Sequence, residues 1–249
     1  MIYINADTLE ACTWSISSPD GGECEMKRTG AFSVLMVLFS TIVVGAPVAY
    51  AQSAGKVLMI VREGYSSDLD LAIKMEVGVM NTALKTAGYE VEVATTSGQR
   101  ILGPTQKIEK VSRLSEIKLS DYAGVIMPCM GVGMFPGPPV SPEAVVAVKK
   151  VLEDGKPVAA ASNASTVLAE AGVLKGKKYA YATDPLNPGP QWAGRTDKRF
   201  EGGIYSGPGV VQDGKIITSG ICPILEKALR LPDGTVELTK RFVAALGSK

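Results

Sequence analysis

The 249-residue chain contains no histidine. Without an imidazole, one chain cannot form a Ser-His or Cys-His nucleophile pair, use a histidine general base or bind a metal through histidine. A partner chain of the same sequence cannot restore the missing group. Net charge is also close to zero, since 26 Lys plus Arg face 25 Asp plus Glu, so electrostatics give no reason to expect a nucleic-acid partner. Most hydrolase and metalloenzyme interpretations are therefore weakened, and we predict neither a cofactor nor a metal.

Residues 26–51 have the features of a secretory signal peptide in the required order. Met26 is followed by Lys-Arg, an apolar run extends from Ala31 to Val44, and Ala49-Tyr-Ala51 forms a small-residue cleavage motif. The apolar run is shorter than the roughly 20 residues that a membrane span needs, and an uncleaved anchor helix is the alternative. The pattern predicts a periplasmic or secreted protein, cleaved after Ala51 and not stably inserted in the membrane.

Residues 1–25 contain acidic side chains but no Lys or Arg. This is the wrong charge for the front of a signal peptide, which is positive. We therefore predict that translation starts at Met26 and that residues 1–25 are not part of the native protein. The mature domain would then comprise residues 52–249.

Strand and helix patterns alternate along the mature chain, which is 46% hydrophobic when counted over the whole sequence. Such alternation, without a repeat or a second core, predicts one three-layer α/β domain with a mostly parallel sheet. In the first helix, Leu71, Met75, Val79 and Leu84 have the spacing of a core-facing stripe. The predicted strands are 56–61, 89–94, 122–127 and 157–161, the helices 69–87, 142–153, 164–171, 222–229 and 236–246, with a hairpin at 209–219 and a long surface loop at 184–209.

Ser162 stands where the strand 157–161 runs directly into a helix. A nucleophile elbow needs small residues two before and two after the nucleophile, and Ala160 and Ala164 satisfy this. The helix N-terminus behind it would favour an anion or a developing oxyanion. Ser162 is therefore a candidate nucleophile, with a simple helix N-cap as the alternative.

Residues 156–176, KPVAAASNASTVLAEAGVLKG, resemble the nucleophile region of the ThiJ/PfpI family, part of the class I glutamine-amidotransferase-like superfamily. Glu76 falls where that family has a buried glutamate, and residues 121–128 and 211–219 resemble its oxyanion strand and late hairpin. The resemblance covers roughly 56–246 and implies a flavodoxin-like α/β/α sandwich. It also implies a homo-oligomer, because relatives commonly form dimers or hexamers.

The sequence departs from the family pattern at the residues that carry the family's catalytic chemistry. The family cysteine is Ser162 here, and its histidine is Asn163. A nucleophilic serine needs an adjacent base, and the carboxylate of Glu76 is too weak a base for an alcohol. The peptidase, glyoxalase and deglycase activities described across the family depend on the cysteine and do not carry over. We therefore predict an altered, noncatalytic site at Glu76, Ser162 and Asn163 that binds a small ligand.

The resemblance also implies a pocket rim beside Ser162, formed by Cys129, Met130, Gly131, Gly220 and Cys222. The two cysteines could form a disulfide across the pocket mouth, supply a replacement nucleophile, or be two buried apolar side chains. The competing functions are a hydrolase of unusual mechanism that uses Ser162 or Cys129, and an oligomeric interaction protein. Deep burial of the Ser162 side chain with no open pocket would favour the interaction protein, whereas an open pocket with Glu76 bonded to Ser162 would favour ligand binding or catalysis.

Overall fold

The computed structural model describes residues 53–63, 69–129, 140–182 and 197–248. The predicted leader, signal peptide and cleavage site, together with Met130 and Gly131, lie outside the described residues. The same holds for 184–196, the first half of the predicted surface loop. Among the described helices, none has the length and apolar character needed to cross a bilayer.

Seven strands form the central sheet, and four short strands form two small accessory pairs. The strands are β1 (Gly55–Ile60), β2 (Tyr89–Thr95), β3 (Ile101–Leu102), β4 (Lys107–Ile108), β5 (Ser112–Arg113), β6 (Tyr122–Met127), β7 (Val158–Ala161), β8 (Lys178–Tyr179), β9 (Ile204–Tyr205), β10 (Val210–Asp213) and β11 (Ile216–Ser219). The sheet order is β10-β11-β7-β6-β1-β2-β5. Its neighbours are parallel except for the β10–β11 hairpin.

The described residues form five helices. Helix α1 is built from the segments Leu69–Ala72, Ile73–Val77 and Gly78–Thr86, followed by α2 (Pro142–Glu153), α3 (Ser165–Glu170), α4 (Pro223–Leu229) and α5 (Thr235–Gly247). Short 3-10 turns cover Leu114–Glu116, Leu119–Asp121, Ser162–Ala164 and Lys198–Phe200. The Pro142 start of α2 is the predicted one, and the hydroxyl of Ser141 caps it by accepting a hydrogen bond from the Ala144 N–H at 3.3 Å.

The strands alternate their side chains between two separate cores. Leu58 and Ile60 of β1 pack with α2 and α3 on one face, whereas Val57 and Met59 pack with α1 and α5 on the other. A parallel strand buried on both faces needs a run of apolar residues, as residues 57–60 of β1 provide. The predicted three-layer α/β/α sandwich with a mostly parallel sheet is confirmed.

Helix α1 departs from the predicted stripe. Ile73, Val77 and Met80 are buried with Leu84, but Met75 is 41% exposed, so the prediction that Met75 faces the core was wrong. The segment Ile73–Val77 is a π-helical turn, which takes more residues per turn than an α-helix and so shifts the face that later residues present. The turn also leaves Glu76 on the buried side, with no exposed surface.

The described part of the predicted surface loop is not irregular. Residues 197–209 include a 3-10 turn and strand β9, which pairs in parallel with β8. Phe200 is 2% exposed, and its ring centroid lies 5.2 Å from that of Tyr179 and 4.7 Å from that of Tyr181. The other residues of 198–209 are exposed or half-buried, as a surface loop predicts. The burial of Phe200 is the exception, because its long-range aromatic contacts have no local sequence period.

Candidate functional site

The backbone turns sharply at Ser162. Strand β7 ends at Ala161, and Ser162 has a φ of 48°, in the left-handed region that non-glycine residues rarely occupy. Ala160 and Ala164 are both fully buried on either side. The N-cap residue of α3 is Ala164 rather than Ser162. The turn therefore has the conformation of a nucleophile elbow, and the N-cap alternative is not supported.

The hydroxyl of Ser162 is not prepared for attack. The residue is 1% exposed, and its Oγ has no hydrogen-bond partner among the residues that the structure describes. The described carboxylate of Glu76 therefore does not bond it. Activation of a serine needs a base within hydrogen-bond reach, and the turn provides none.

Asn163 occupies the position where the resemblance places the family histidine, and its groups are held by three side chains. The Tyr181 hydroxyl donates to Asn163 Oδ1 at 3.0 Å. The Thr166 hydroxyl donates to the Asn163 carbonyl at 2.6 Å, and the Arg62 guanidinium donates to the same carbonyl at 3.4 Å. An amide side chain has no group that gains or loses a proton near neutral pH. Asn163 can therefore hold its neighbours in place but cannot act as a base.

Arg62 and Tyr181 are site residues that the sequence analysis missed. Burial raises the pKa of the Tyr181 hydroxyl well above its ordinary value, so the group remains a hydrogen-bond donor. Burial lowers the pKa of Arg62, although the nearby Cys129 and Tyr181 oppose this. Arg62 could have been found, because it follows the carboxyl end of β1, where open α/β sheets bind ligands. Tyr181 carries no such local signal.

A buried ion pair supports Tyr181 from behind. Arg199 Nε donates to both carboxylate oxygens of Asp197, at 2.8 and 2.9 Å, and the hydrogen bond to Asp197 raises the pKa of Arg199. Asp197 is 6% exposed. The pair flanks Phe200, which packs on the Tyr181 ring. It therefore anchors the segment that positions Tyr181.

A cavity of about 300 Å³ lies next to the elbow. Its walls include Arg62 after β1, Met127 at the end of β6, Ser141 at the start of α2 and Ala164 in the turn. Strands β1 and β6 are adjacent, but the chain leaves them toward opposite sides of the sheet. Such a switch point at the carboxyl ends of parallel strands is the usual ligand site of open α/β sheets.

Cys129 and Cys222 do not line this cavity in the described part of the chain. They are 2% and 1% exposed and are free thiols, so the disulfide across the pocket mouth is not formed. Both belong to the core that faces α1 and α5. Gly220 is also buried, so the predicted rim residues that are described lie inside the fold.

Burial also argues against a replacement thiol nucleophile. A hydrogen bond with Cys129, then burial and neighbouring negative groups, raise the pKa of the Cys222 thiol far above its usual range. The thiolate is the reactive form of cysteine. Cys222 is thus held as a protonated and inaccessible thiol.

The fold is an α/β sandwich in which a sharp strand-to-helix turn ends a central strand. A cavity lies beside that turn at the switch point of the sheet. These features define a class of α/β domains with a ligand pocket at the carboxyl edge of the sheet. Residues 56–226 match the DJ-1/PfpI family. The chain belongs to the DJ-1/PfpI family, as its sequence resemblance implied.

Two curated proteins illustrate the sequence similarity. An uncharacterised protein of Archaeoglobus fulgidus is 30% identical over 164 residues, which cover 65% of this chain and 87% of the relative. A protein of Thermococcus kodakarensis named a deglycase is 30% identical over 143 residues, which cover 55% of this chain and 80% of the relative.

Solved structures share the fold at lower sequence identity. DJ-1beta of Drosophila melanogaster superposes with a TM-score of 0.57 at 23% identity, covering 80% of this chain and 92% of that chain. A ThiJ/PfpI domain protein of Brachyspira murdochii superposes with a TM-score of 0.54 at 14% identity, covering 80% and 99%. Both likenesses concern the fold alone.

Proposed function

We propose that this protein is a noncatalytic member of the DJ-1/PfpI family that binds a small ligand beside its altered nucleophile position. The observation that carries the proposal is the hydrogen bond from Tyr181 to Asn163. It occupies the side chain at the place where the resemblance puts a histidine. With Ser162 lacking a base, the elbow keeps the geometry of the family's chemistry without a group that moves protons.

The cavity beside Arg62 suits a small anionic molecule. Its volume of about 300 Å³ is at the lower end of the range for small-molecule sites. Arg62 contributes a guanidinium to walls that are otherwise largely apolar, and a guanidinium pairs well with carboxylates and other planar oxyanions. Glu63, on the same wall, is engaged by the backbone N–H and hydroxyl of Ser97 at 2.8 and 2.6 Å. We therefore expect a ligand with one carboxylate or a comparable oxyanion.

Filling the cavity from its rim tests ligand binding. Thr96 is exposed and lines the cavity, so Thr96→Trp should obstruct it with little effect on the core. The matched control is Thr86→Trp, an exposed position at the end of α1 and away from the cavity. With a panel of small carboxylates in native mass spectrometry, we expect complexes with the wild type and Thr86→Trp but not with Thr96→Trp. Equal binding of the carboxylates and their methyl esters would contradict the role of Arg62.

Ser162→Ala is expected to raise the free energy of unfolding by about 1 kcal/mol, because it removes a buried hydroxyl with no partner among the described residues. The matched control is Ser219→Ala on the neighbouring strand, since the Ser219 hydroxyl donates to the Ile221 carbonyl at 3.1 Å. In that variant the free energy of unfolding should fall by about 1 kcal/mol. Urea denaturation measures both.

The same Ser162→Ala protein tests for residual catalysis. The wild type should show no hydrolysis of peptides or esters and no deglycase activity above that of Ser162→Ala. Turnover by the wild type that Ser162→Ala abolishes would establish the alternative, a serine hydrolase of unusual mechanism.

A second candidate is an oligomeric interaction protein. The 1% exposure of Ser162 meets one of its two criteria, whereas the cavity beside the turn does not meet the other. In that case the elbow would serve only packing, and a surface of the domain would carry the function. We expect a dimer or hexamer by light scattering after size-exclusion chromatography. A monomer across the accessible concentrations would remove this candidate.

Export is expected to produce a mature chain that begins at Gln52. Strand β1 starts at Gly55 and the family match starts at residue 56, so cleavage after Ala51 would leave both intact. N-terminal sequencing of protein from the native host measures this. A native chain that retains residues 1–25 would contradict both the start at Met26 and the signal peptide.

A further inference from the structure

Three potential ligand groups converge below the elbow. The side-chain donor atoms of Glu76, Cys129 and Cys222 all lie within 4.8 Å of one another. They come from the π-helical turn of α1, the end of β6 and the residue before α4. The three residues are 0%, 2% and 1% exposed. The sequence positions have none of the close cysteine spacing that marks zinc motifs, so only the fold brings these groups together.

The chemistry of the cluster is unusual for a core. A carboxylate and two thiols are all groups that become negative, and burial penalises each negative charge. Packed together, the three groups also oppose one another's ionisation, because like charges at short range disfavour the charged form. A bound divalent cation reverses this balance, because it deprotonates coordinating thiols outright.

We propose that Cys129 Sγ, Cys222 Sγ and a carboxylate oxygen of Glu76 bind one Zn²⁺ ion. Thiolate ligands favour zinc over the hard cations calcium and magnesium, and zinc also accepts carboxylate oxygen. With Zn–S and Zn–O bonds of roughly 2.3 and 2.1 Å, tetrahedral ligands lie roughly 3.5 Å apart. Because the donor atoms lie within 4.8 Å of one another, the cluster needs to contract by at most about 1 Å to reach zinc geometry, and three protein ligands leave one position for a water molecule.

Charge balance is also favourable. Two thiolates, one carboxylate and Zn²⁺ leave one net negative charge, and the two thiol protons pass to solvent on binding. The Arg62 guanidinium lies close enough to Cys129 for their charges to interact. It can offset the residual charge without being a ligand. The zinc site uses neither the Ser162 hydroxyl nor the cavity, so its test is independent of the proposed function.

Cobalt substitution tests the site. The full chain is reduced, stripped of metal and titrated with Co²⁺, with folding checked by circular dichroism. We expect one Co²⁺ per chain, with a sulfur-to-cobalt charge-transfer band in the near ultraviolet that Zn²⁺ abolishes. Cys129→Ser and Cys222→Ser should each weaken that band and lower the Zn²⁺ affinity more than about tenfold. Removing a residue that only hydrogen-bonds to a metal ligand already costs about that much. Glu76→Gln should lower the affinity comparably while keeping the band.

The matched control is Glu153→Gln, which makes the same change at an exposed glutamate at the end of α2. It should leave the stoichiometry and the Zn²⁺ affinity unchanged. If a core variant fails to fold, the wild type still decides the question, because native mass spectrometry should show one Zn²⁺ ion per wild-type chain. Absence of the cobalt band in the reduced wild type would overturn the proposal. So would binding that survives in Cys129→Ser, or affinity that is unchanged in Glu76→Gln.

Discussion

Gly220→Ala is expected to lower the free energy of unfolding by about 3 kcal/mol, at the upper end of the usual cost of overpacking. A Cβ atom at Gly220 would overlap the carbonyl group of Tyr181 and lie 2.7 Å from the carbonyl oxygen of Pro208. Backbone atoms cannot rotate away as a flexible side chain can. The Gly220 N–H also donates to the Pro208 and Gly209 carbonyls at 3.0 and 3.2 Å, so relaxation would strain this hydrogen bonding.

The matched control for this substitution is Gly209→Ala, in the same part of the fold. A Cβ atom there meets nothing within 4 Å, and Gly209 has no positive φ. We expect it to stay within about 0.5 kcal/mol of the wild type. Urea denaturation of the three proteins measures the difference, and equal stability of the two variants would refute the close packing of Gly220 on Tyr181.

Asp197→Ala is expected to lower the free energy of unfolding by about 2–3 kcal/mol. Arg199, whose side chain is 23% exposed, loses the buried carboxylate of Asp197 and keeps Glu170 at 3.8 Å. Breaking a largely buried ion pair is destabilising because the remaining charge is poorly compensated. The loss should also loosen Phe200 and, through it, the Tyr181 ring. Thermal and urea denaturation measure stability, and near-ultraviolet circular dichroism reports on the aromatic packing.

An exposed ion pair in α5 provides the comparison. Arg241 Nε lies 2.8 Å from Glu237 Oε1, but the two side chains are 39% and 46% exposed. Exposed pairs of this kind contribute about 0–1 kcal/mol, so Glu237→Ala should have a small effect that salt reduces further. If Asp197→Ala were no more destabilising than Glu237→Ala, the ion pair would not anchor the Tyr181 segment.

The strands were predictable because their signal is local. A run such as 122–127, apolar at every position, can be stable only between two helical layers, and β6 has those bounds. The start of α2 was equally clear from Ser141 and Pro142. The predicted burial of Met75 was wrong, because a π-helical turn changes the helical period and composition does not reveal such a turn. The burial of Phe200 was not predicted, because the aromatic rings that it contacts belong to another segment of the chain.

The candidate site divides along the same line. The left-handed turn at Ser162 was predictable, since Ala160 and Ala164 leave room for a strained strand-to-helix turn. A histidine base was excluded by composition alone, because the chain has no histidine. The partners of Asn163 were not predictable, because Tyr181 reaches it across 18 residues and Arg62 across 101.

The sequence by itself therefore determined the α/β/α class, the sharp turn at Ser162 and the absence of a titratable imidazole, since each depends on residue type and short-range spacing. Only the tertiary structure decided that Ser162 is buried, that Tyr181 and Arg62 hold Asn163, and that Glu76 meets two free cysteines. The physical reason is that burial and contact between distant strands are set by packing, which no local pattern encodes.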